Sequence, residues 1–162
     1  MMYHQRPIIV DYKIAFEKAA KYCAYQERCQ FDLERKLKDW NVDTEIWDEI
    51  IADLIQQNFL NEERFAQSFA MGKVNIKRWG KIKIKNELRT RKISDYSIRK
   101  ALECVDDDKY LLNLQHLIEQ KSPLITAEND FEKRMKLMKY LLGRGYESDL
   151  INEELGNYGI RR

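Results

Sequence analysis

Apolar residues recur along this chain at intervals of three and four, the spacing that places them on one side of an α-helix. The first such stretch begins at Ile14, and with its neighbours it predicts three helices between residue 14 and about residue 57. Asp43, a residue type that caps helix N-termini, precedes the third of them. Glycine and proline number only six and two among 162 residues, so the turn residues that β-hairpins require are scarce. The pattern therefore predicts an all-α fold.

One arrangement of apolar residues occurs three times. Two apolar residues four positions apart are followed, five positions after the second, by a further apolar residue and then by a helix-capping residue. The copies are Leu33, Leu37 and Val42; Ile84, Leu88 and Ile93; and Leu137, Leu141 and Tyr146. A period near 50 residues predicts an elongated, curved tandem array of three-helix repeats. The boundaries that follow are an N-terminal tail at 1–12 and repeats at 13–60, 61–108 and 109–162.

The residue before the last apolar position of each copy stands where a helix would end in a left-handed residue. Asn41 and Gly145 suit that conformation, whereas Lys92 should cost about 1 kcal/mol or more there. The spacing thus predicts the same helix end in all three repeats, with an unfavourable residue in the second.

The charges are segregated although the net charge is only +2. Residues 71–100 carry eleven bases and two acids, whereas residues 41–63 carry seven acids and no base. Bases in the helix around Ile84 lie roughly a quarter turn from its apolar side and follow an aromatic residue. Such a ridge suits phosphates or a row of partner carboxylates. The predicted partner- or nucleic-acid-binding residues are Lys77, Arg78, Trp79, Lys81, Lys85, Arg89 and Lys92.

No set of residues in the sequence matches a known catalytic arrangement. The sequence has no phosphate-binding glycine loop. The glycines at 143 and 145 follow a predicted helix rather than a strand, so we interpret them as the end of that helix. His116 lies in an apolar-rich helix, where packing explains it better than catalysis does. We therefore expect neither enzymatic activity nor a cofactor.

The three cysteines, Cys23, Cys29 and Cys104, lack the spacing of a zinc site, and their odd number argues against a disulfide framework. We expect buried or half-buried thiols. No apolar run exceeds four residues and the N-terminus lacks a secretion signal, so the sequence predicts a cytoplasmic protein without a membrane partner.

Two segments of the middle repeat carry a family signature. Residues 61–69 read Asn-Glu-Glu-Arg-Phe-Ala-Gln-Ser-Phe, and residues 79–93 read Trp-Gly-Lys-Ile-Lys-Ile-Lys-Asn-Glu-Leu-Arg-Thr-Arg-Lys-Ile. Together they resemble the middle of the RecX regulatory proteins, while residues 31–37 and 139–146 resemble the first and third units of that family. The resemblance covers about residues 14–155 and implies tandem three-helix repeats.

The resemblance implies a modulator of the RecA recombinase that lies in the groove of the RecA filament on single-stranded DNA. It implies inhibition of RecA ATPase, strand exchange and co-protease activity, and thereby regulation of recombination, DNA repair and the SOS response. The partners expected are the filament and DNA phosphates, single-stranded or double-stranded, with the protein itself a monomer. The family's structural motif falls here on Arg64, Phe65, Phe69, Gly80, Ile84, Glu87 and Leu88.

Within that motif, the resemblance places Gly80 at a hinge of the middle unit. Glu87 either pairs with Arg91 one helical turn later, which its spacing favours, or faces the partner. Lys92 departs from the family, most members of which have glycine there.

Two other functions remain open on the sequence. Residues 80–105 could form a helix-turn-helix that binds DNA without sequence preference and without a recombinase, although the second helix offers only Arg99 and Lys100 as bases. Alternatively, the chain is a scaffold in which the basic segment meets the acidic helix of another copy.

Overall fold

The structure is a computed structural model that describes residues 6–160, and helices form most of that range. The nine α-helices of these residues are α1 Tyr12–Tyr25, α2 Gln30–Asp39, α3 Trp47–Gln56, α4 Glu62–Gly72, α5 Lys81–Thr90, α6 Asp95–Glu103, α7 Asp107–Lys121, α8 Asp130–Gly143 and α9 Ser148–Asn157. Short 3-10 turns at Thr44–Ile46 and Ser122–Leu124 and a π turn at Lys73–Lys77 extend the helices. The predicted all-α array of three-helix repeats is confirmed.

The predicted left-handed helix ends are also confirmed. Asn41 and Lys92 both have φ of 58°, and Gly145 has φ of 94°. In each repeat the amide that follows donates to the carbonyl of the last buried leucine. The three bonds are Val42 to Leu37 at 2.9 Å, Ile93 to Leu88 at 3.1 Å and Tyr146 to Leu141 at 3.2 Å. The five-residue spacing in the sequence is the spacing of this helix-ending hydrogen bond.

Side chains cap the helix that opens each repeat. The Asp11 carboxylate accepts from the Ile14 amide at 2.9 Å, the Asn61 amide oxygen from the Arg64 amide at 2.9 Å, and the Asp106 carboxylate from the Lys109 amide at 2.7 Å. Such bonds satisfy backbone donors that the first helical turn leaves unpaired. Asp43 caps as predicted, on the 3-10 turn that leads into α3.

Apolar side chains of the described residues form two separate cores. One lies within the first repeat, where Leu33 and Leu37 are fully buried. The other is shared by the second and third repeats and includes Ile84 and Leu88 of α5, both also fully buried. Cys29 comes from the first repeat but belongs to the shared core. The last two repeats thus form one packed body, and the first adjoins it.

Two glycines bring the second and third repeats into backbone contact. A Cβ built on Gly80 would lie 2.1 Å from the carbonyl carbon and oxygen of Gly145, and one on Gly145 would lie 2.3 Å from the Cβ of Lys83. The Gly80 amide donates to the Arg144 carbonyl at 2.8 Å. Gly80, expected at a hinge, is instead a close-packed contact, because the space for a side chain is filled by the neighbouring backbone.

Residues 6–11 of the predicted tail pack against the first repeat. Ile9 and Val42 form an isolated parallel β-bridge, in which the Ile9 amide donates to the Asn41 carbonyl and the Asp43 amide to the Ile9 carbonyl, both at 2.9 Å. Residues 1–5 of that tail, and residues 161–162 of the predicted third repeat, lie outside the described residues.

The accessible surface shows that the array is extended. It measures 10817 Å², whereas a compact monomer of 19.5 kDa would expose about 8,500 Å². The excess is expected when repeats contact only their neighbours along the chain.

Candidate partner interface

Helix α5 presents cations on two flanks of one buried side. Ile84 and Leu88 face the core, and at 100° per residue Lys81, Lys85 and Arg89 fall on one flank while Lys83 falls on the other. The first flank lies against α6 and forms with it a groove of about 630 Å³. The groove is lined by Lys81, Lys85, Arg89, Asp95, Tyr96, Ile98, Arg99, Leu102 and Glu103. We call it the α5–α6 groove.

Of the three groove cations on α5, two are held by acids of the same chain. The Lys81 ammonium lies 3.4 Å from the Asp107 carboxylate, and the Arg89 guanidinium lies 3.3 Å from that of Asp95. Both acids are largely exposed, so each ion pair is worth only about 0–1 kcal/mol. A partner's carboxylates or phosphates can therefore take these cations at little cost. The Lys85 ammonium has no carboxylate within 4.0 Å in the described part of the chain.

The structure brings together three of the seven predicted binding residues, Lys81, Lys85 and Arg89, and places the other four elsewhere. Lys77 lines a cleft between the first and second repeats. Lys92 lines a different pocket, between α2 and the end of α5.

Arg78 and Trp79 lie in the turn that leads into α5. Arg78 is left-handed, with φ of 52°, and its carbonyl accepts from the Tyr146 hydroxyl at 2.9 Å. The Lys77 carbonyl accepts from the Arg144 guanidinium. This turn is thereby fixed to the third repeat.

Sequence patterning missed residues that the tertiary structure adds to the basic surface. Tyr96 and Arg99 of α6 join the α5–α6 groove. Lys73 and Lys83 both contact the Trp79 ring, with their ammonium nitrogens 4.6 Å and 4.3 Å from its centroid. The sequence did contain a signal for the second flank. Lys83 is two residues from both Lys81 and Lys85, and that spacing puts it on the opposite flank of a helix.

Arg64 and Arg91 of the second repeat bind acids of the first. Arg64 Nε donates to Glu27 at 2.6 Å, and another of its nitrogens donates to the Asn58 carbonyl at 2.9 Å. Arg91 lies 3.9 Å from Asp32 and 3.6 Å from Glu87. The expected pairing of Glu87 with Arg91 is confirmed.

The two phenylalanines of the family motif lie on α4. Phe65 is buried and Phe69 half-buried, with their ring centroids 5.8 Å apart.

Glu62 connects α4 with the start of α6. Its carboxylate accepts from the Ser94 and Ser97 hydroxyls, both at 2.7 Å, and from the Ser94 amide at 3.0 Å. Desolvation raises the pKa of this carboxyl, but the serine hydrogen bonds outweigh it and hold the pKa below its usual value. Glu62 therefore stays ionised and fixes the helix that forms one wall of the groove.

The buried side chain of Tyr110 holds the N-terminal end of α5. The Tyr110 hydroxyl donates to the Glu147 carboxylate at 2.7 Å and accepts from the Lys81 amide at 2.9 Å. Burial, and then the bond to Glu147, raise the pKa of Tyr110. The first turn of α5, which carries Lys81, is thus tied to the third repeat.

The cysteines differ in exposure. Cys23 and Cys29 are buried as expected, and burial raises the pKa of their thiols to about 11 and about 12. Both stay protonated at neutral pH and are poor nucleophiles. Cys104 is exposed, contrary to expectation, because it lies just beyond the end of α6.

Within residues 6–160 there is no cluster of three or more His, Cys, Asp or Glu side chains placed to hold a metal ion. Over the same range no helix has the length and apolar character needed to cross a membrane.

Comparison with known protein families gives three matches in chain order. A model of the first three-helix domain of RecX matches residues 15–54, one of the second domain matches residues 61–102, and one of the third matches residues 108–155. Each match falls on one of the three helix triplets described above.

Individual relatives agree with these matches. Proteins named Regulatory protein RecX from Bacillus thuringiensis (strain Al Hakam) and Bacillus cereus (strain AH187) are each 27% identical over 137 residues. The aligned region is 85% of this chain but 51% of each relative, so the chain spans about half their length.

Solved structures show the same fold. The crystal structure of RecX from Lactobacillus salivarius superposes with a TM-score of 0.80 and 23% identity, covering 93% of this chain and 97% of that one. A second structure, described as regulatory protein RecX, gives a TM-score of 0.78 and 21% identity, covering 86% of this chain and 68% of that one.

Proposed function

Because this chain belongs to the RecX family, we propose that it regulates a RecA recombinase. It binds the RecA filament on single-stranded DNA and lowers ATP hydrolysis, strand exchange and co-protease activity. The observation that carries this proposal is the match of three different RecX domain models, in order, to the three helix triplets.

The shape and charge of the molecule support the proposal. An extended array of repeats offers a long surface to a helical filament, and the surface area exceeds that of a compact protein of this mass. The α5–α6 groove lies in the middle repeat and places Lys81, Lys85 and Arg89 beside exposed Tyr96. Its cations suit carboxylates of a protein partner, and its apolar floor, Ile98 and Leu102, suits the apolar side chains that accompany them.

Single-stranded-DNA-dependent ATP hydrolysis by the cognate RecA, titrated with this protein, tests the proposal. We expect suppression at well below one copy per RecA monomer, since a ligand that alters a filament acts on many subunits at once. Unchanged hydrolysis would contradict the proposal. If the protein still bound DNA in that case, the alternative function, sequence-nonspecific DNA binding without a recombinase partner, would replace it.

A further inference from the structure

Five side chains of the second repeat alternate cation and aromatic ring on the flank of α5 away from the α5–α6 groove. The Phe69 ring centroid lies 5.3 Å from the Arg91 guanidinium and 5.2 Å from the Lys73 ammonium. Lys73 and Lys83 in turn lie 4.6 Å and 4.3 Å from the centroid of Trp79. All five side chains are half-buried. We call this row, Arg91, Phe69, Lys73, Trp79 and Lys83, the cation–aromatic strip.

The lysines beside the strip's tryptophan are not neutralised by the protein. In the described residues no carboxylate lies within 4.0 Å of the ammonium groups of Lys73, Lys77 or Lys83. Only Arg91, at one end of the strip, is paired, with Glu87 and Asp32. In the α5–α6 groove, by contrast, Lys81 and Arg89 both have acidic partners. The strip therefore carries the less compensated positive charge.

The strip continues into an open cleft. A space of about 550 Å³ lies between the first and second repeats, and Phe69, Lys73, Lys77 and Arg91 form one of its walls. The first-repeat side of the cleft includes Tyr22, whose ring lies 4.0 Å from the Arg28 guanidinium. It also includes the carboxylates of Glu27 and Asp32, which pair with Arg64 and Arg91. Cations and rings thus follow an extended path rather than surrounding a closed pocket.

We propose that the cation–aromatic strip is a contact surface for single-stranded nucleic acid, separate from the α5–α6 groove. Phosphates bind Lys73, Lys77 and Lys83, and a base stacks on Trp79. As the lysines turn toward phosphates, they leave the ring face that they cover in the free protein. Aromatic rings interleaved with cations favour a single strand, because the base faces in a duplex are already stacked. An acidic protein segment would use the charges but leave the rings without a role.

The first test measures binding of the full chain to a fluorescent oligothymidine by anisotropy, over a range of salt concentrations and without RecA. The double variant Lys73→Gln/Lys83→Gln keeps both rings and removes two charges. We expect weaker binding and a slope of log K against log salt that is smaller by about 1.4, since each single-strand phosphate contact contributes about 0.7. The matched control Lys13→Gln/Lys21→Gln makes the same charge change on two exposed lysines of the first repeat and should leave the slope unchanged.

The second test follows stacking through intrinsic fluorescence. Oligothymidine should quench the emission of Trp79 but not that of Trp40 and Trp47, which lie in the first repeat. Trp79→Phe should abolish the quenching, while Trp79→Leu should weaken binding by roughly tenfold. Unchanged far-ultraviolet circular dichroism confirms that each variant is folded. The lysine pair tests the proposal even if Trp79→Leu fails to fold.

Two results would overturn the proposal: parent-like DNA binding by the Lys73/Lys83 variant, or an equal loss in the Lys13/Lys21 control. Weaker suppression of RecA ATPase by the Lys73/Lys83 variant with normal DNA binding would assign the strip to a protein partner and also overturn it. A different result would contradict the proposed regulation of RecA and leave the strip proposal standing: the parent protein would bind oligothymidine but leave RecA ATPase unchanged.

Discussion

At the scale of single residues, the three helix ends adopt the same left-handed backbone conformation with residues that tolerate it to different degrees. Asn41, Lys92 and Gly145 all have positive φ and precede the same type of hydrogen bond. Asparagine and glycine tolerate this conformation, whereas the Cβ of lysine crowds the following carbonyl. The second repeat therefore contains local strain that the other two avoid.

We predict that Lys92→Gly stabilises the protein by about 0.5–1 kcal/mol, because relief of the strain outweighs the greater freedom of glycine in the unfolded chain. Thermal unfolding followed by circular dichroism should show a melting temperature higher by about 2–4 °C. Asn41→Gly, at the equivalent position, should not stabilise the protein, because asparagine already tolerates the conformation and its side-chain amide donates to the Arg6 carbonyl at 2.7 Å. A lower melting temperature for Lys92→Gly would argue that the lysine side chain contributes more than its backbone costs.

Gly80 provides a second prediction at this scale. Gly80→Ala places a methyl group 2.1 Å from the Gly145 carbonyl, so the second and third repeats must separate locally. We expect a loss of about 1–3 kcal/mol or more in unfolding free energy by urea titration. Gly72→Ala is the matched control: a Cβ there meets nothing within 4 Å, and alanine is the better helix residue. Equal effects at the two sites would contradict the close packing of the junction.

At the scale of elements, α5 is the helix on which the candidate surfaces depend. Its buried side joins the shared core, one flank forms the α5–α6 groove and the other carries Lys83 of the cation–aromatic strip. Gly80 and Tyr110 fix its N-terminal end to the third repeat. A rigid helix with two basic flanks can contact two partners at once.

We predict that Lys81→Glu/Lys85→Glu/Arg89→Glu abolishes filament binding, because it converts the α5–α6 groove from cationic to anionic. The concentration for half-suppression of RecA ATPase should rise about tenfold or more, with unchanged helical content. Lys13→Glu/Lys21→Glu/Lys38→Glu reverses three exposed lysines of the first repeat and should retain suppression. Loss in both triple variants would indicate a dependence on total charge rather than on this groove.

At the scale of the whole molecule, the first repeat has its own core and meets the rest through polar contacts and a smaller apolar one. Arg64 binds Glu27 and the Asn58 carbonyl, Arg91 approaches Asp32, and Cys29 inserts into the shared core. In a tandem array the stability of one repeat depends on such contacts with its neighbour. The junction between the first and second repeats is therefore the place where the array is most open to local unfolding.

We predict that Arg64→Ala lowers the stability of the first repeat by about 1–3 kcal/mol, because the half-buried carboxylate of Glu27 loses its donor and the exposed Asn58 carbonyl loses another. Hydrogen exchange should become faster in α1–α3, while the core amides of α7–α9 keep their protection. Arg64→Lys keeps the charge but cannot bind both groups in the same way, so the stability of its first repeat should lie between those of the parent protein and Arg64→Ala. Uniformly faster exchange in all nine helices would contradict a separable first repeat.

Local spacing along the chain was enough to predict the helices, the three repeats, the three left-handed helix ends and the resemblance to the family. Leu33/Leu37 and its two counterparts face the core at the predicted places, since helix periodicity alone decides which side is buried. The grouping of the cations into surfaces became visible only once the helices were packed together. Lys81 and Lys85 share the α5–α6 groove with Arg99, and Lys73 and Lys83 both contact the ring of Trp79. Contacts between elements depend on how helices pack, which the pattern along one chain does not specify.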